Sequence, residues 1–207
     1  MKKNLFIAAL AFVAMGANAQ VVNTLDGYQA GDQFEKDGVK YELIAVEEGN
    51  PVKVVGAVAE EVTVQEAFAF EGGDNYTVTD FTAGLAQMDL TKVTAVADEP
   101  IALSGEDFFT AASYEEADLV VPEAAIKKYA AAPVWKKFLK KWTDSGKLLG
   151  DFNNDGKITG PDLVALKAII AEDDPDLYEE MYDHNGDCKI SGPDLVMMKA
   201  IIAADVF

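Results

Sequence analysis

Acidic and amide side chains alternate along two segments of the chain, Asp151–Asp162 and Asp183–Asp194. Each segment carries Asp, Asn and Asp at its first, third and fifth positions, a hydroxyl residue at the ninth and Asp at the twelfth. Ca²⁺ is a hard cation that takes oxygen ligands, and a loop can supply them at alternate positions. The spacing therefore predicts one calcium site in each segment, and so two bound ions.

The predicted ligands are five side chains in each loop and the backbone carbonyl at the seventh position. The first loop supplies Asp151, Asn153, Asp155, Lys157, Thr159 and Asp162. The second loop supplies Asp183, Asn185, Asp187, Lys189, Ser191 and Asp194. The alternative is a pair of N-capped helices behind solvated acidic loops. That alternative does not explain why acids or amides occupy the same positions in both copies.

The sixth position differs between the two loops, because it is Gly156 in the first and Cys188 in the second. This position favours a positive φ, which Gly adopts freely and Cys does not. The strain should cost about 1 kcal/mol. We therefore predict that the second loop binds calcium more weakly than the first.

An apolar helix follows each loop. The apolar positions Leu163, Val164, Leu166, Ile169 and Ile170 recur as Leu195, Val196, Met198, Ile201 and Ile202. Neither helix can bury such a face alone, so we expect the two units to pack together, with Ile158 against Ile190. A short helix is predicted between them, from Asp176 to Tyr182.

The repeated unit follows the EF-hand pattern, but its twelfth residue is Asp rather than Glu and no amphipathic helix enters the first loop. In these respects residues 149–207 resemble a type I dockerin. The resemblance implies that the domain folds on calcium and binds a cohesin-like protein module. It also implies that the tenth and eleventh positions, Gly160-Pro161 and Gly192-Pro193, contact the partner. These pairs are identical, so a cohesin could dock in either of two orientations.

The preceding part of the chain reads mostly as β-structure. Alternating or β-branched runs predict strands at Val39–Val46, Val52–Val58, Val62–Phe70, Tyr76–Phe81, Leu90–Val96 and Leu119–Val121. A helix should follow at Ala124–Tyr129. An amphipathic segment then continues over Val134–Trp142, with its lysines, Lys136, Lys137, Lys140 and Lys141, on the polar face.

A composition change near Thr143–Gly146 marks a boundary. The predicted fold class is α+β in two domains. The first, residues 20–145, is a mostly-β module with a C-terminal helix, and the second, residues 149–207, is a small all-α calcium-binding domain.

Three segments of the first half, GDQFEKDGVKYELI, NYTVTDFTAGLAQMDLTKVTAV and DLVVPEAAIKKYAAAPVWKKF, resemble secreted bacterial surface proteins with BspA-like leucine-rich repeats. The resemblance covers residues 27–142 and implies a binding or cell-adhesion module with about one degenerate rung. Isolated repeats rarely bury enough surface to be stable. We therefore expect a compact remnant of the repeat rather than a long solenoid.

The first 19 residues have the features of a secretory signal peptide: a basic start at Lys2-Lys3, the apolar run Leu5–Met15 and a small-x-small site at Ala17–Ala19. The run is shorter than the ~20 apolar residues needed to span a bilayer. We expect cleavage before Gln20 and an extracellular, cell-surface or periplasmic location.

The formal charge is −19 and the chain contains no Arg. Nucleic acid and anionic membranes are therefore poor partners. The single cysteine, Cys188, excludes an internal disulfide.

Catalytic chemistry has little support in the sequence. The only His, His184, occupies a non-ligand position, so a zinc site or a nucleophile–His pair is not indicated. Glycoside hydrolysis needs only two carboxylates, which the pairs Glu60-Glu61, Glu106-Asp107 and Glu115-Glu116 could provide, but such pairs are typical of solvated surface. The aromatic residues Tyr129, Trp135 and Trp142 could form a sugar platform, although their helical spacing favours core packing.

The sequence thus favours a secreted, non-catalytic calcium-binding protein whose dockerin-like domain tethers an N-terminal module to a cohesin-type partner. The module itself would bind polysaccharide or a surface protein. Two alternatives stay open: a free-standing adhesion or carbohydrate-binding protein with purely structural calcium, and an accessory subunit of a polysaccharide hydrolase.

Overall fold

A computed structural model of the protein describes residues 29–70, 73–103, 108–172 and 182–204. Within these ranges the strands, in chain order, are β1 (Gln33–Lys36), β2 (Val39–Leu43), β3 (Pro51–Ala57), β4 (Glu61–Val64), β5 (Ala67–Ala69), β6 (Asn75–Asp80), β7 (Lys92–Ala95), β8 (Asp118–Val121) and β9 (Lys140–Thr143). They form a five-stranded sheet in the order β1-β2-β3-β6-β5 and a four-stranded sheet in the order β4-β7-β8-β9. The predicted signal peptide lies outside the described residues.

The five-stranded sheet begins as an antiparallel meander of β1, β2 and β3. The turn between β1 and β2 uses positive φ at Asp37 and Gly38. Along β2 every second residue is buried, which is the period expected of a strand with one face on the core. That face carries an aromatic cluster in which Tyr41 and Tyr76 pack around Phe68, at ring-centroid distances of 4.7 and 5.4 Å.

The four-stranded sheet is parallel throughout, and its strands lie side by side in the order in which they occur in the chain, although β5 and β6 of the other sheet intervene between β4 and β7. Val62, Val93 and Leu119 lie opposite one another on successive strands, and each is at most 3% exposed. A parallel pair requires a crossover connection. These connections carry α1 (Ala111–Glu116), a 3₁₀ turn (Glu123–Ala125), α2 (Ile126–Ala131) and a second 3₁₀ turn (Trp135–Lys137).

Two sequence predictions in this half were wrong. The single strand predicted at Val62–Phe70 is two strands, β4 and β5, which belong to different sheets. The amphipathic segment predicted at Val134–Trp142 is only a 3₁₀ turn followed by β9. In both cases hydrogen bonds to distant strands override the local pattern. Strand β1 and helix α1 were not predicted.

Because Lys140–Thr143 forms a strand, the environment of Lys141 differs from the one predicted. The amphipathic pattern predicts Lys141 on the polar face of the segment, but in β9 it lies opposite Leu119 and is 3% exposed. It therefore occupies the fourth rung of the buried column formed by Val62, Val93 and Leu119. Its ammonium donates to the carbonyl oxygen of Phe138. Burial lowers the pKa of Lys141 to about 8, because desolvation disfavours the charged form.

The second half consists of the two calcium-type loops and their exiting helices, α3 (Gly160–Glu172) and α4 (Gly192–Ala204). Leu166, Met198 and Ile201 are buried between them, and Ile158 and Ile190 join the same hydrophobic cluster as predicted. Val164 and Val196 were expected on the buried face, but they are 64% and 65% exposed. The short helix predicted at Asp176–Tyr182 lies outside the described residues except for Tyr182.

No linker separates the two halves. At the predicted boundary the chain makes a tight turn, in which the amide of Thr143 donates to the carbonyl of Lys147 at 2.7 Å. Leu148 then packs into the core of the second half and Leu149 into that of the first. The amide of Leu149 donates to the carbonyl of Lys141 at 2.8 Å, so the returning chain covers the outer edge of β9. None of the helices described is both long and apolar enough to cross a membrane.

Replacing the buried ammonium should stabilise the protein. We expect Lys141→Met to raise the free energy of unfolding at pH 7 by about 1–2 kcal/mol, because the desolvation cost exceeds the value of one hydrogen bond. The folded-state pKa is depressed, so the cost is complete below pH 8 and disappears as the pH rises to the unfolded value of 10.5. Urea denaturation across this range should show the advantage of the variant shrinking with pH. Lys136→Met, at an exposed position, is the control, and equal stabilisation by both variants would contradict the assignment.

Candidate functional site: two calcium-type loops

In the first loop the side-chain oxygens are oriented by the backbone amides of the loop itself. Asp151 accepts from the amides of Asp155 and Gly156 at 3.1 and 2.7 Å. Asn153 Oδ1 accepts from the amide of Asp155 at 2.9 Å, and Asp155 Oδ1 accepts from the amide of Lys157 at 3.0 Å. These bonds turn the loop back on its first residue and hold the carboxylates in fixed orientations.

The second loop repeats the same four hydrogen bonds. Asp183 accepts from the amides of Asp187 and Cys188 at 3.2 and 2.8 Å. Asn185 accepts from Asp187 at 2.8 Å, and Asp187 from Lys189 at 2.9 Å. Each distance differs by 0.1 Å from its counterpart in the first loop. The duplication in sequence is therefore also a duplication in geometry.

The twelfth residue of each loop, Asp162 or Asp194, lies in the first turn of the exiting helix and is fully buried. Asp162 accepts from the amides of Phe152 and Thr159 at 3.0 and 2.9 Å. Asp194 accepts from the equivalent amides of His184 and Ser191 at 3.0 and 2.8 Å. One carboxylate thus ties the start of each loop to the start of its helix, where the helix dipole favours negative charge.

The electrostatics of the second loop favour a bound cation. Burial raises the pKa of Asp194 above its usual value, and the charges of Asp183 and Asp187 raise it further, while backbone hydrogen bonds from Ser191 and Asn185 oppose the shift. Within the described ranges no lysine forms an ion pair with Asp162 or Asp194. A divalent ion would offset this negative charge.

The donor set suits calcium rather than a softer metal. In the described part of the chain, no three His, Cys, Asp or Glu side chains come together as a metal-binding group by themselves. Calcium does not require such a group, because amide, hydroxyl and carbonyl oxygens complete its coordination. The residues of each loop fit that requirement.

The sixth position adopts the predicted conformation in both loops. Gly156 has φ 84° and Cys188 has φ 65°, so the prediction that Cys188 adopts a positive φ is confirmed. The fourth position also has a positive φ, at Asn154 (57°) and Gly186 (71°). The ligand spacing did not predict a positive φ at this fourth position, although Asn and Gly are the residues that tolerate it best.

Residues 149–203, about a quarter of the chain, match the family model of the dockerin type I domain. The resemblance predicted for the C-terminal region is therefore confirmed. A dockerin domain implies calcium binding and protein–protein tethering through a cohesin partner, and dockerin proteins are typically extracellular or on the cell surface. The chain matches no curated protein and no solved structure. The comparisons do not support the resemblance of residues 27–142 to BspA-like repeats.

The other residues singled out in the sequence fall into two groups. The partner-binding residues predicted for the dockerin-like region, Gly160, Pro161, Gly192 and Pro193, are all exposed. Four of the candidate carboxylates, Glu60, Glu61, Glu115 and Glu116, are exposed as well, and the pair at 106–107 lies outside the described residues. Tyr129 and Trp135 are buried in the core, which confirms core packing for them instead of a sugar platform.

His184 was not recognised as a structural residue from the sequence. It is 1% exposed, and its ring lies against Gly150, where any Cβ would overlap with it. Burial, and then the nearby charge of Lys141, lowers the pKa of His184 to about 3. The imidazole is therefore neutral at pH 7 and forms part of the packing beneath the second loop.

Removing the first ligand of both loops should abolish calcium binding. We expect Asp151→Ala with Asp183→Ala to eliminate the calcium-dependent change in far-ultraviolet circular dichroism, because each substitution deletes a charged ligand. Asp144→Ala, at an exposed acid outside both loops, should titrate like the wild type. A normal titration of the double variant would refute the ligand assignment.

The strain at Cys188 gives a separate prediction. Cys188→Gly should tighten calcium binding at the second loop about fivefold, since relief of about 1 kcal/mol changes a dissociation constant by that factor. Gly156→Cys should weaken the first loop by a similar factor. Calorimetric titration of both variants measures the two effects, and unchanged affinities would show that φ strain does not control binding.

Proposed function

We propose that this is an exported, non-catalytic protein that uses two calcium ions and its dockerin-like domain to tether an N-terminal binding module to a cohesin-type partner. The observation that carries the proposal is the pair of loops with matched hydrogen bonds inside the region that matches the dockerin family. Export is supported by the features of residues 1–19 and by the usual location of dockerin proteins.

The proposed docking surface is the outer face of α3 and α4. Pro161 and Val164 are exposed on one helix, and Pro193 and Val196 occupy the same places on the other. The two valines are exposed to 64% and 65%, so the N-terminal module leaves both copies equally accessible. Exposed apolar side chains at equivalent sites support a two-fold symmetric surface that one partner could bind in either orientation.

The N-terminal module is proposed to bind a polysaccharide or a surface protein. The parallel four-stranded sheet supports a degenerate repeat, because its strands follow the chain order and align one buried residue per rung, as neighbouring units do in solenoids. The exposed positions of Glu60, Glu61, Glu115 and Glu116 favour solvated carboxylates over a catalytic pair.

The tether is tested by calcium-dependent capture of a partner. Immobilised residues 20–207 should retain a partner from the extracellular and envelope fractions of the source cells in calcium and lose it in EDTA. Val164→Asp or Val196→Asp alone should leave capture largely intact, because the second copy remains. The double variant should lose capture, since a charge then lies on both copies.

The control is Val96→Asp, the same change at a valine that is 53% exposed in the N-terminal module. It should not affect capture through the helices. If calcium binds but no partner is retained in calcium, the tether proposal fails and the calcium is structural. If one single variant abolishes capture, the two copies are not equivalent.

A further inference from the structure

The two loops are nearly identical in sequence and in internal hydrogen bonds, but their surroundings differ. Gly156 in the first loop has open space where a Cβ would stand, and Asn154 at its fourth position is exposed. The second loop instead lies against the N-terminal module. A Cβ at Gly186 would be 2.6 Å from Cβ of Ala131 and 2.7 Å from the carbonyl oxygen of Lys127, both in α2.

Along the second loop, the residues that pack against other parts of the protein alternate with the predicted calcium ligands. Asp183, Asn185 and Asp187 are the first three predicted ligands of the loop, and the residues between them are His184 and Gly186. Gly186 contacts α2, whereas the buried ring of His184 lies against Gly150. The same five residues therefore carry ligands on one side and a packing surface on the other.

The N-terminal module also depends on the second half to cover its last strand. Leu139, which directly precedes β9, and Trp142, which lies within it, pack into the cluster that contains Leu166 and Met198. A parallel array that ends in an uncovered apolar unit is unstable, and repeat proteins protect that end with a cap. In this protein the dockerin-like region occupies the position of such a cap.

We propose that the second calcium loop has a further function, as an intramolecular clamp: calcium bound there stabilises the end of the N-terminal module, formed by α2 and β9, as well as the dockerin-like helices. At the matching position of the first loop Asn154 is exposed, so that loop would serve the tether alone. This inference rests on the part of the proposed function in which the second loop binds calcium. It does not require a cohesin.

The clamp explains a sequence difference that calcium ligation leaves unexplained. The fourth position is Asn154 in the first loop and Gly186 in the second, and both have a positive φ. Asn tolerates that backbone in the first loop, so the loop conformation does not require Gly. The close approach of α2 does require it, because only Gly lacks the Cβ that would overlap with Ala131.

The test is hydrogen exchange of the full chain, residue by residue, in calcium and in EDTA. Calcium at about 100 times its dissociation constant raises the ratio of folded to unfolded molecules about 100-fold. In the wild type we expect exchange to slow by about that factor in Ile126–Ala131 and Lys140–Thr143 as well as in α3 and α4.

The decisive variant is Gly186→Asn, matched by Asn154→Gly, so that each loop receives the residue of the other. Gly186→Asn should keep two bound ions by calorimetry but lose the calcium protection of α2 and β9. Asn154→Gly should keep the two bound ions and also the calcium protection of α2 and β9. If Gly186→Asn does not fold, His184→Ala, with Phe152→Ala at the same position of the first loop as its control, makes the same comparison by deleting a contact instead of adding one.

Three results would overturn the clamp. Calcium could protect only residues 151–204 of the wild type, it could protect neither half, or Gly186→Asn could retain full protection of α2 and β9. If the wild-type chain captures no partner in calcium but calcium still protects α2 and β9, the tether is refuted and the clamp is not. The two proposals can therefore fail separately.

Discussion

Each calcium-type loop is organised around a buried carboxylate at the start of a helix. Asp162 and Asp194 accept amides from both ends of their loops, so a single side chain sets the loop closure, the start of the helix and the direction in which the other ligands point. A carboxylate without solvent is costly unless charge and hydrogen bonds compensate it. The amides supply the hydrogen bonds, and a divalent cation would supply the charge. A bound divalent cation would therefore compensate the buried negative charge of Asp162 and Asp194.

Duplication creates two equivalent loops, but the rest of the chain makes them unequal. In the first loop Asn154 is exposed, and the ring of Phe152 meets that of Tyr182 edge to face at a centroid distance of 4.7 Å. The second loop uses its non-ligand residues, His184 and Gly186, to contact Gly150 and α2. The equivalent valines of the two exiting helices, Val164 and Val196, are nevertheless exposed to nearly the same extent. The proposed docking surface and the contact with the N-terminal module thus use different residues of the same region.

The junction between the halves explains why they form a continuous structure. The chain leaves β9 by a tight turn and returns along its outer edge, where the amide of Leu149 pairs with the carbonyl of Lys141. An unpaired strand edge is a site of aggregation, and here the connection to the second half covers it. Trp142 strengthens the joint, because its indole NH donates to Asp118 at 3.0 Å while its ring packs against the dockerin-like core.

The sequence alone determined what depends on local spacing. The matching of the two loops, the positive φ at Cys188 and the burial of Leu166 and Met198 could all be predicted from the repeat, because a calcium-type loop and the helix that follows it are defined by neighbours along the chain. The tertiary structure decided what depends on distant neighbours. Val62–Phe70 divides between two sheets, and Lys141 enters the core because β8 offers a partner strand. Val164 faces solvent because the two helices meet along a narrower stripe than their apolar residues suggest. Gly186 is required by α2, more than fifty residues earlier in the chain. Local patterns specify which conformations a segment can adopt, but the packing of remote segments selects among them.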